Sequence, residues 1–187
     1  MKKISILVLL VLSVLAASCS LAAGPVTLKD GDTGNTVILY STGDEGLLFY
    51  HNDRFGYEMR VPEIFTKVVL LPENEDGMIL ESEDGKAAFR TSGGFVMIDG
   101  MLGESYDNAL ESIGGEDKAV YFDIGEDSWE LTWWEGETFH RRKFLMDGEE
   151  AWGECEISYQ SVNNEAVRDP LDEIMRRAIQ SLAFGKG

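Results

Sequence analysis

From Leu47 onward the chain is cut into short strand-like runs by regularly placed turn signals, and this punctuation limits the available folds more than any other feature. The runs are Leu47 to Tyr50, Gly56 to Val61, Lys67 to Leu71, Met78 to Glu81, Ala87 to Thr91 and Phe95 to Ile98. Asn52-Asp53, Asp76-Gly77, Asp84-Gly85 and Gly93-Gly94 separate them. Asp-Gly between two such runs favours the tight turns that join antiparallel neighbours, so an antiparallel meander is expected. A second block repeats the pattern with Ala119 to Ile124, Trp129 to Trp134, Thr138 to Met146 and Ala151 to Tyr159, joined at Glu126-Asp127, Glu135-Gly136 and Asp147-Gly148. Trp129, Leu131 and Trp133 alternate with Glu130, Thr132 and Trp134, which gives one apolar face and one mixed face. This block predicts four consecutive antiparallel strands.

Two stretches change period from strand to helix. In Glu104 to Ile113, Tyr106, Ala109, Leu110 and Ile113 recur at helical spacing, and Gly114-Gly115 supplies the stop. Near the C-terminus, Asp169 as N-cap and Pro170 at the first helical position open a second helix, with Leu171, Ile174, Met175, Ala178 and Leu182 on one side. The expected class is α+β, in one domain over residues 46–187. Residues 24–45, rich in Gly, Asp and Thr around Val37-Ile38-Leu39-Tyr40, read as a linker carrying one short strand.

The first 23 residues read as an export signal. Met1-Lys2-Lys3 precedes an apolar run from Ile4 to Leu15 and then the small residues Ala16, Ala17 and Ser18. That run is too short for a membrane-spanning helix of about 20 residues. Two cleavage readings compete. Leu15-Ala16-Ala17-Ser18-Cys19 resembles a loose lipobox, which would make Cys19 the lipidated first residue of an outer-membrane-anchored protein, whereas cleavage after Ala22 or Ala23 would free it into the periplasm. Either way Cys155 is left unpaired. The strand pattern around it favours a small buried hydrophobe, and flanking Glu154 and Glu156 would raise a thiol pKa, opposite to what a nucleophile needs. The chain carries 16 Lys and Arg against 34 Asp and Glu, a net charge of −18, so nucleic acid and anionic membrane surfaces are repelled.

The run Tyr50-His51-Asn52-Asp53-Arg54-Phe55-Gly56-Tyr57-Glu58-Met59-Arg60-Val61-Pro62, followed by Asn74-Glu75-Asp76-Gly77 and Glu83-Asp84-Gly85, resembles the opening of bacterial secreted domains with the PsbP-like fold. That fold is shared by the extrinsic photosystem II subunit and by a Ran-binding family. A Trp-rich strand, Phe139-His140-Arg141-Arg142-Lys143, Ile157-Ser158-Tyr159 and a closing Ser181-Leu182-Ala183-Phe184 extend the likeness over about residues 47 to 184. The resemblance implies a curved antiparallel sheet with helices packed on its faces, and a non-catalytic binding or assembly role with no catalytic set to carry over.

Residue by residue, reactive chemistry has little support. His51 and His140 are the two histidines, and neither lies in a GxSxG or HExxH motif. No cofactor and no metal site are expected, although Asp30-Gly31-Asp32-Thr33-Gly34-Asn35 begins like a calcium loop before departing from it. Arg141-Arg142-Lys143 is the one basic cluster. It reads either as a partner contact or as cross-strand pairing with Glu130, Glu154 and Glu156. Trp133 and Trp134 must point to opposite faces, and an exposed Trp134 near Thr132 and Arg142 would suit an interface. The sequence therefore points to an exported, non-catalytic binding or assembly module of the bacterial cell envelope. Its expected partner is an envelope protein met by Trp134, Arg141 and Arg142. The alternatives are a carboxylate-dependent hydrolase acting on an envelope glycan and a calcium-binding domain.

Overall fold

The computed structural model describes residues 24–160 and 170–185. The export segment with Cys19, and Asp169 at the predicted N-cap, lie outside the described residues. In chain order the strands are β1 (Val26–Lys29), β2 (Thr36–Ser41), β3 (Leu47–His51), β4 (Tyr57–Pro62), β5 (Phe65–Leu70), β6 (Gly77–Ser82), β7 (Ala87–Phe95), β8 (Ala119–Ile124), β9 (Ser128–Glu135), β10 (Thr138–Asp147), β11 (Ala151–Gln160) and β12 (Ala183–Phe184). Helix α1 is Met101–Ile113 and helix α2 is Pro170–Gln180. Among the described residues no helix is long and apolar enough to cross a membrane.

All pairings are antiparallel, and they build two sheets. The smaller has the order β1-β2-β3-β4-β12 and the larger β5-β6-β7-β11-β10-β9-β8. The chain is thus an α+β protein built mainly of antiparallel strands. The single expected sheet is two because the turn at Glu63 and Ile64 carries the chain from β4 in one to β5 in the other, with the Glu63 amide donating to the Gly46 carbonyl.

The main core lies between the sheets. Leu39, Tyr57, Met59 and Val61 of the small sheet meet Leu80, Phe89, Cys155 and Ile157 of the large one, and Met175, Ala178 and Ile179 of α2 complete the cluster. A second core lies on the other face of the large sheet. There Tyr106 and Ala109 of α1 cover Trp129, Leu131, Trp133 and Phe144, with the Trp129 and Phe144 rings stacked at 5.8 Å. Burying such side chains stabilises by about 1.5–3 kcal/mol each, which is why the two helices sit where apolar residues alternate along the strands. The glycine stop predicted after α1 is present. Gly114 takes φ 93, and the Gly114 and Gly115 amides donate to the Glu111 and Leu110 carbonyls.

Two local expectations change. Residues 24–45 contribute two strands, not one, because Asp30 nucleates a tight hairpin. Its carboxylate accepts hydrogen bonds from the Asp32 and Thr33 amides at 2.8 and 3.1 Å and from the Leu71 amide at 3.1 Å, which ties the hairpin to the chain after β5. These bonds hold the Asp30 carboxyl below the ordinary range. They also occupy both oxygens of the residue that would open a calcium loop. Gly93-Gly94, read as a turn, lies inside β7, and Phe95 to Ile98 leave the sheet after Phe95. A Cβ on Gly93 would come within 2.5 Å of Tyr57 Cε1, and one on Gly94 within 2.7 Å of Trp152 Nε1. These glycines serve close approach of rings to backbone, not reversal of the chain.

Candidate functional site

The three residues expected to meet a partner do not share a surface. On β10, Phe139, Arg141 and Lys143 face α2, whereas His140, Arg142 and Phe144 face the α1 side. Trp134 is half-buried on the α2 side, its ring 4.9 Å from Phe139, and Arg141 lies 5.6 Å above that same phenyl ring. Arg142 is on the opposite face, so the expected grouping of Trp134 with Arg142 is replaced by Trp134 with Arg141.

Both arginines are engaged within the chain. Arg141 lies 3.5 Å from Glu130 and 3.8 Å from Asp172, and Asp172 also accepts a hydrogen bond from the Tyr159 hydroxyl. Arg142 donates to Glu154 at 2.8 Å and lies 5.6 Å from the Trp129 ring. Lys143 reaches the Leu182 carbonyl at 3.3 Å, beyond the end of α2, and burial pushes its ammonium pKa down. The cross-strand reading of this cluster describes its geometry, with Glu156 paired to His140 in place of an arginine. We predict that Arg142→Ala costs about 2 kcal/mol in urea unfolding, because it strands a mostly buried Glu154 carboxylate.

His140 stacks on Trp133 with ring centroids 4.7 Å apart, and its Nδ1 lies 3.2 Å from Glu156 Oε1. Its Nε2 makes no hydrogen bond and faces Glu135 at 3.7 Å. Burial pushes the Glu156 carboxyl up, but the His140 hydrogen bond and the charges of Arg142, His140 and Arg90 outweigh it, and the net shift is down. A depressed carboxyl stabilises the fold fully above its unfolded value, here 4.5, and loses that contribution as pH falls through the folded value. Glu156→Gln should therefore cost about 1–2 kcal/mol at neutral pH, with the gap to wild type closing below pH 4.5 when melting is followed across pH. Cys155, on the other face of β11, is fully buried. Burial first, then Glu154 and Glu156, pushes its thiol well up, as the flanking acids suggested.

A concave feature with convergent polar groups lies elsewhere. A cleft of about 590 Å³ opens between β2, the β3–β4 turn and the β5–β6 loop. The exposed side chains of Ile38 and Tyr40 form one wall, and Asp53, Arg54, Glu73 and Glu75 stand at the rim. Its shape is set by Asn52, which is 3 % exposed. The Asn52 amide nitrogen donates to the Glu75 carbonyl at 2.8 Å and to the Tyr50 hydroxyl at 3.1 Å, with the Tyr57 hydroxyl at 3.5 Å. Its oxygen accepts from the Arg54 and Phe55 amides at 3.1 and 3.0 Å. Arg54 adds a bond to the Asn74 carbonyl, and Asn35 closes the neighbouring side by donating to the Leu71 carbonyl at 3.0 Å. Burial raises the pKa of both tyrosines, keeping the hydroxyls that accept from Asn52 neutral. Glu75 sits in the left-handed region at φ 56, a conformation that costs a side-chain-bearing residue energy and that the Asn52 bond helps to hold.

The chain matches no known family model and no curated protein. Asn52, which pins the cleft, reads from sequence only as a turn residue. The available signal is its place between Tyr50 and Tyr57, two aromatic residues with hydroxyls that a buried amide can bond. His51 lies at the cleft edge, 3.6 Å from Asp53 and 4.0 Å from Glu58. Among the described residues no group of three or more His, Cys, Asp or Glu side chains is placed to hold a metal ion.

Proposed function

We propose that this chain is an exported, non-catalytic binding or assembly module of the bacterial cell envelope, with a PsbP-like fold, that holds a segment of an envelope protein in the Asn52 cleft. The observation that carries the reading is the meeting of two separate runs at one place. Tyr50 to Tyr57 and Asn74 to Gly77, the stretches that resemble secreted PsbP-like domains, form facing walls tied through a buried side chain. A volume near 590 Å³ lies in the range of ligand-binding clefts, and here exposed apolar residues on one wall meet polar groups that converge from the others. A helix on each face of the larger sheet supports the fold relationship.

One observation favours binding over hydrolysis. A glycosidase needs a carboxylic acid with a raised pKa, yet among the described residues each carboxyl whose value is displaced, at Asp30, Asp84, Glu156 and Glu173, moves down. Trp134, Arg141 and Arg142 spend their contacts inside the fold, which shifts the partner site from β10 to the cleft. The test is affinity capture from the native envelope with wild type and with Glu73→Lys and Asp53→Lys, two exposed rim substitutions. One reproducible partner whose recovery falls in both variants, with unchanged melting temperature, supports the reading. Equal recovery from all three proteins contradicts it.

A further inference from the structure

The large sheet ends in two unlike edges. At β5 the pairing with β6 is interrupted by two register irregularities, and Lys67 projects from the strand to lie 3.6 Å from Glu81. Bulges and an edge lysine are standard protections against unwanted strand addition. At the other edge, among the described residues, β8 pairs with β9 alone. Beyond an irregularity between Ala119 and Tyr121 it runs regularly to Ile124. Val120, Tyr121, Phe122 and Ile124 are 60 %, 50 %, 43 % and 51 % exposed. An apolar strand left this open is a template for another strand.

Charge selects the occupant. The strand is bracketed by exposed Glu116 and Asp117 on one side and exposed Glu126 and Asp127 on the other, with Asp123 within it and Lys118 drawn 3.8 Å from Asp117. In a full-overlap antiparallel pairing of two copies, Glu126 would face Asp117 and Asp127 would face Glu116, so like charges meet at both ends and oppose self-association. The same arrangement attracts a strand with an apolar centre and cationic ends.

We propose that β8 is a docking edge for an extended segment of a partner protein, apolar in the middle and carrying Lys or Arg at both ends, added antiparallel to the sheet. The site is separate from the Asn52 cleft and lies at the opposite edge of the strand order from β5, so either can fail without the other. The probe is a short fluorescent peptide alternating valine and threonine with lysines at both ends, compared with its glutamate-ended counterpart, titrated into the mature protein. The lysine-ended peptide should bind at least about tenfold more tightly, weaken with added salt, and protect the amides of residues 120–124 from hydrogen exchange. The double variant Glu126→Lys and Asp127→Lys, confined to an exposed turn, should reduce that preference at unchanged melting temperature. No saturable binding, equal affinity for the two peptides, or protection at another segment would overturn the proposal. So would concentration-dependent dimerisation that protects 120–124 without peptide.

Discussion

Asn52→Ala should lower the stability of the protein by about 3 kcal/mol in urea unfolding and abolish partner recovery, because the substitution unmakes several buried bonds at once. The Glu75 carbonyl and the Arg54 and Phe55 amides lose their partner, the Phe55 bond in a buried setting and the other two in partly buried ones. Each group left unpaired in a buried setting costs about 1–3 kcal/mol, and relaxation of the exposed loop recovers part of the total. Loss of the Glu75 tether also removes what holds that residue left-handed, so the rim of the cleft rearranges even where the sheets persist. Asn35→Ala is the natural comparison. It removes a single bond to the Leu71 carbonyl from a half-buried residue on the same cleft and should cost no more than about 1 kcal/mol. Similar losses for the two variants would show that Asn52 is an ordinary turn residue.

Gly77→Ala should be at least as damaging, at about 3–5 kcal/mol, and for a steric reason. A Cβ on Gly77 would lie 1.9 Å from the Thr91 carbonyl oxygen and 2.8 Å from Ser92 Cα. Both are backbone atoms of β7, so relief requires β6 and β7 to separate at the point where the β5–β6 loop enters the sheet. Gly31→Ala tests the logic, since a Cβ there meets nothing within 4 Å and the backbone is not left-handed. Its effect should stay within about 0.5 kcal/mol. Thermal melting of the two variants beside wild type checks both statements.

These glycines mark the limit of what the sequence discloses. The block from Ala119 to Tyr159 is legible almost to the residue, because its four strands are consecutive, each joint carries a turn signal, and β11 alternates cleanly between buried and half-buried positions. The helices are legible for similar local reasons, α1 through its glycine stop and α2 through its apolar face of Met175 and Ala178, to which the structure adds Ile179, while Leu182, expected on the same face, is buried just beyond the helix end. What is hidden is non-local. Gly93-Gly94 looks the same whether it reverses the chain or admits Tyr57 and Trp152, and the deciding rings lie tens of residues away. The pairing of β7 with β11, which closes the large sheet, has no local signature. Neither does the use of Asp30 as a hub for amides on both sides of the molecule's first hairpin.

The site shows the same division. Arg141 and Arg142 stand out in sequence because they adjoin Lys143 in a chain with 16 Lys and Arg against 34 Asp and Glu, and Trp134 because it adjoins Trp133. Alternation along β10 nevertheless sends the two arginines to opposite faces, each toward an acid. Asn52 draws no notice because an Asn-Asp pair is ordinary turn chemistry. Its role depends on burial, which arises only when the β5–β6 loop folds over it.

The account turns on the cleft being where the partner binds, and site-specific photo-crosslinking in the native envelope tests that most directly. A photoreactive residue replaces Tyr40, exposed on the cleft wall, and in a separate protein replaces Glu137, exposed in the β9–β10 turn at the far end of the strands. The account predicts one discrete adduct from position 40, lost when Glu73→Lys is added, and none from position 137. An adduct from position 137 with none from position 40 would contradict it.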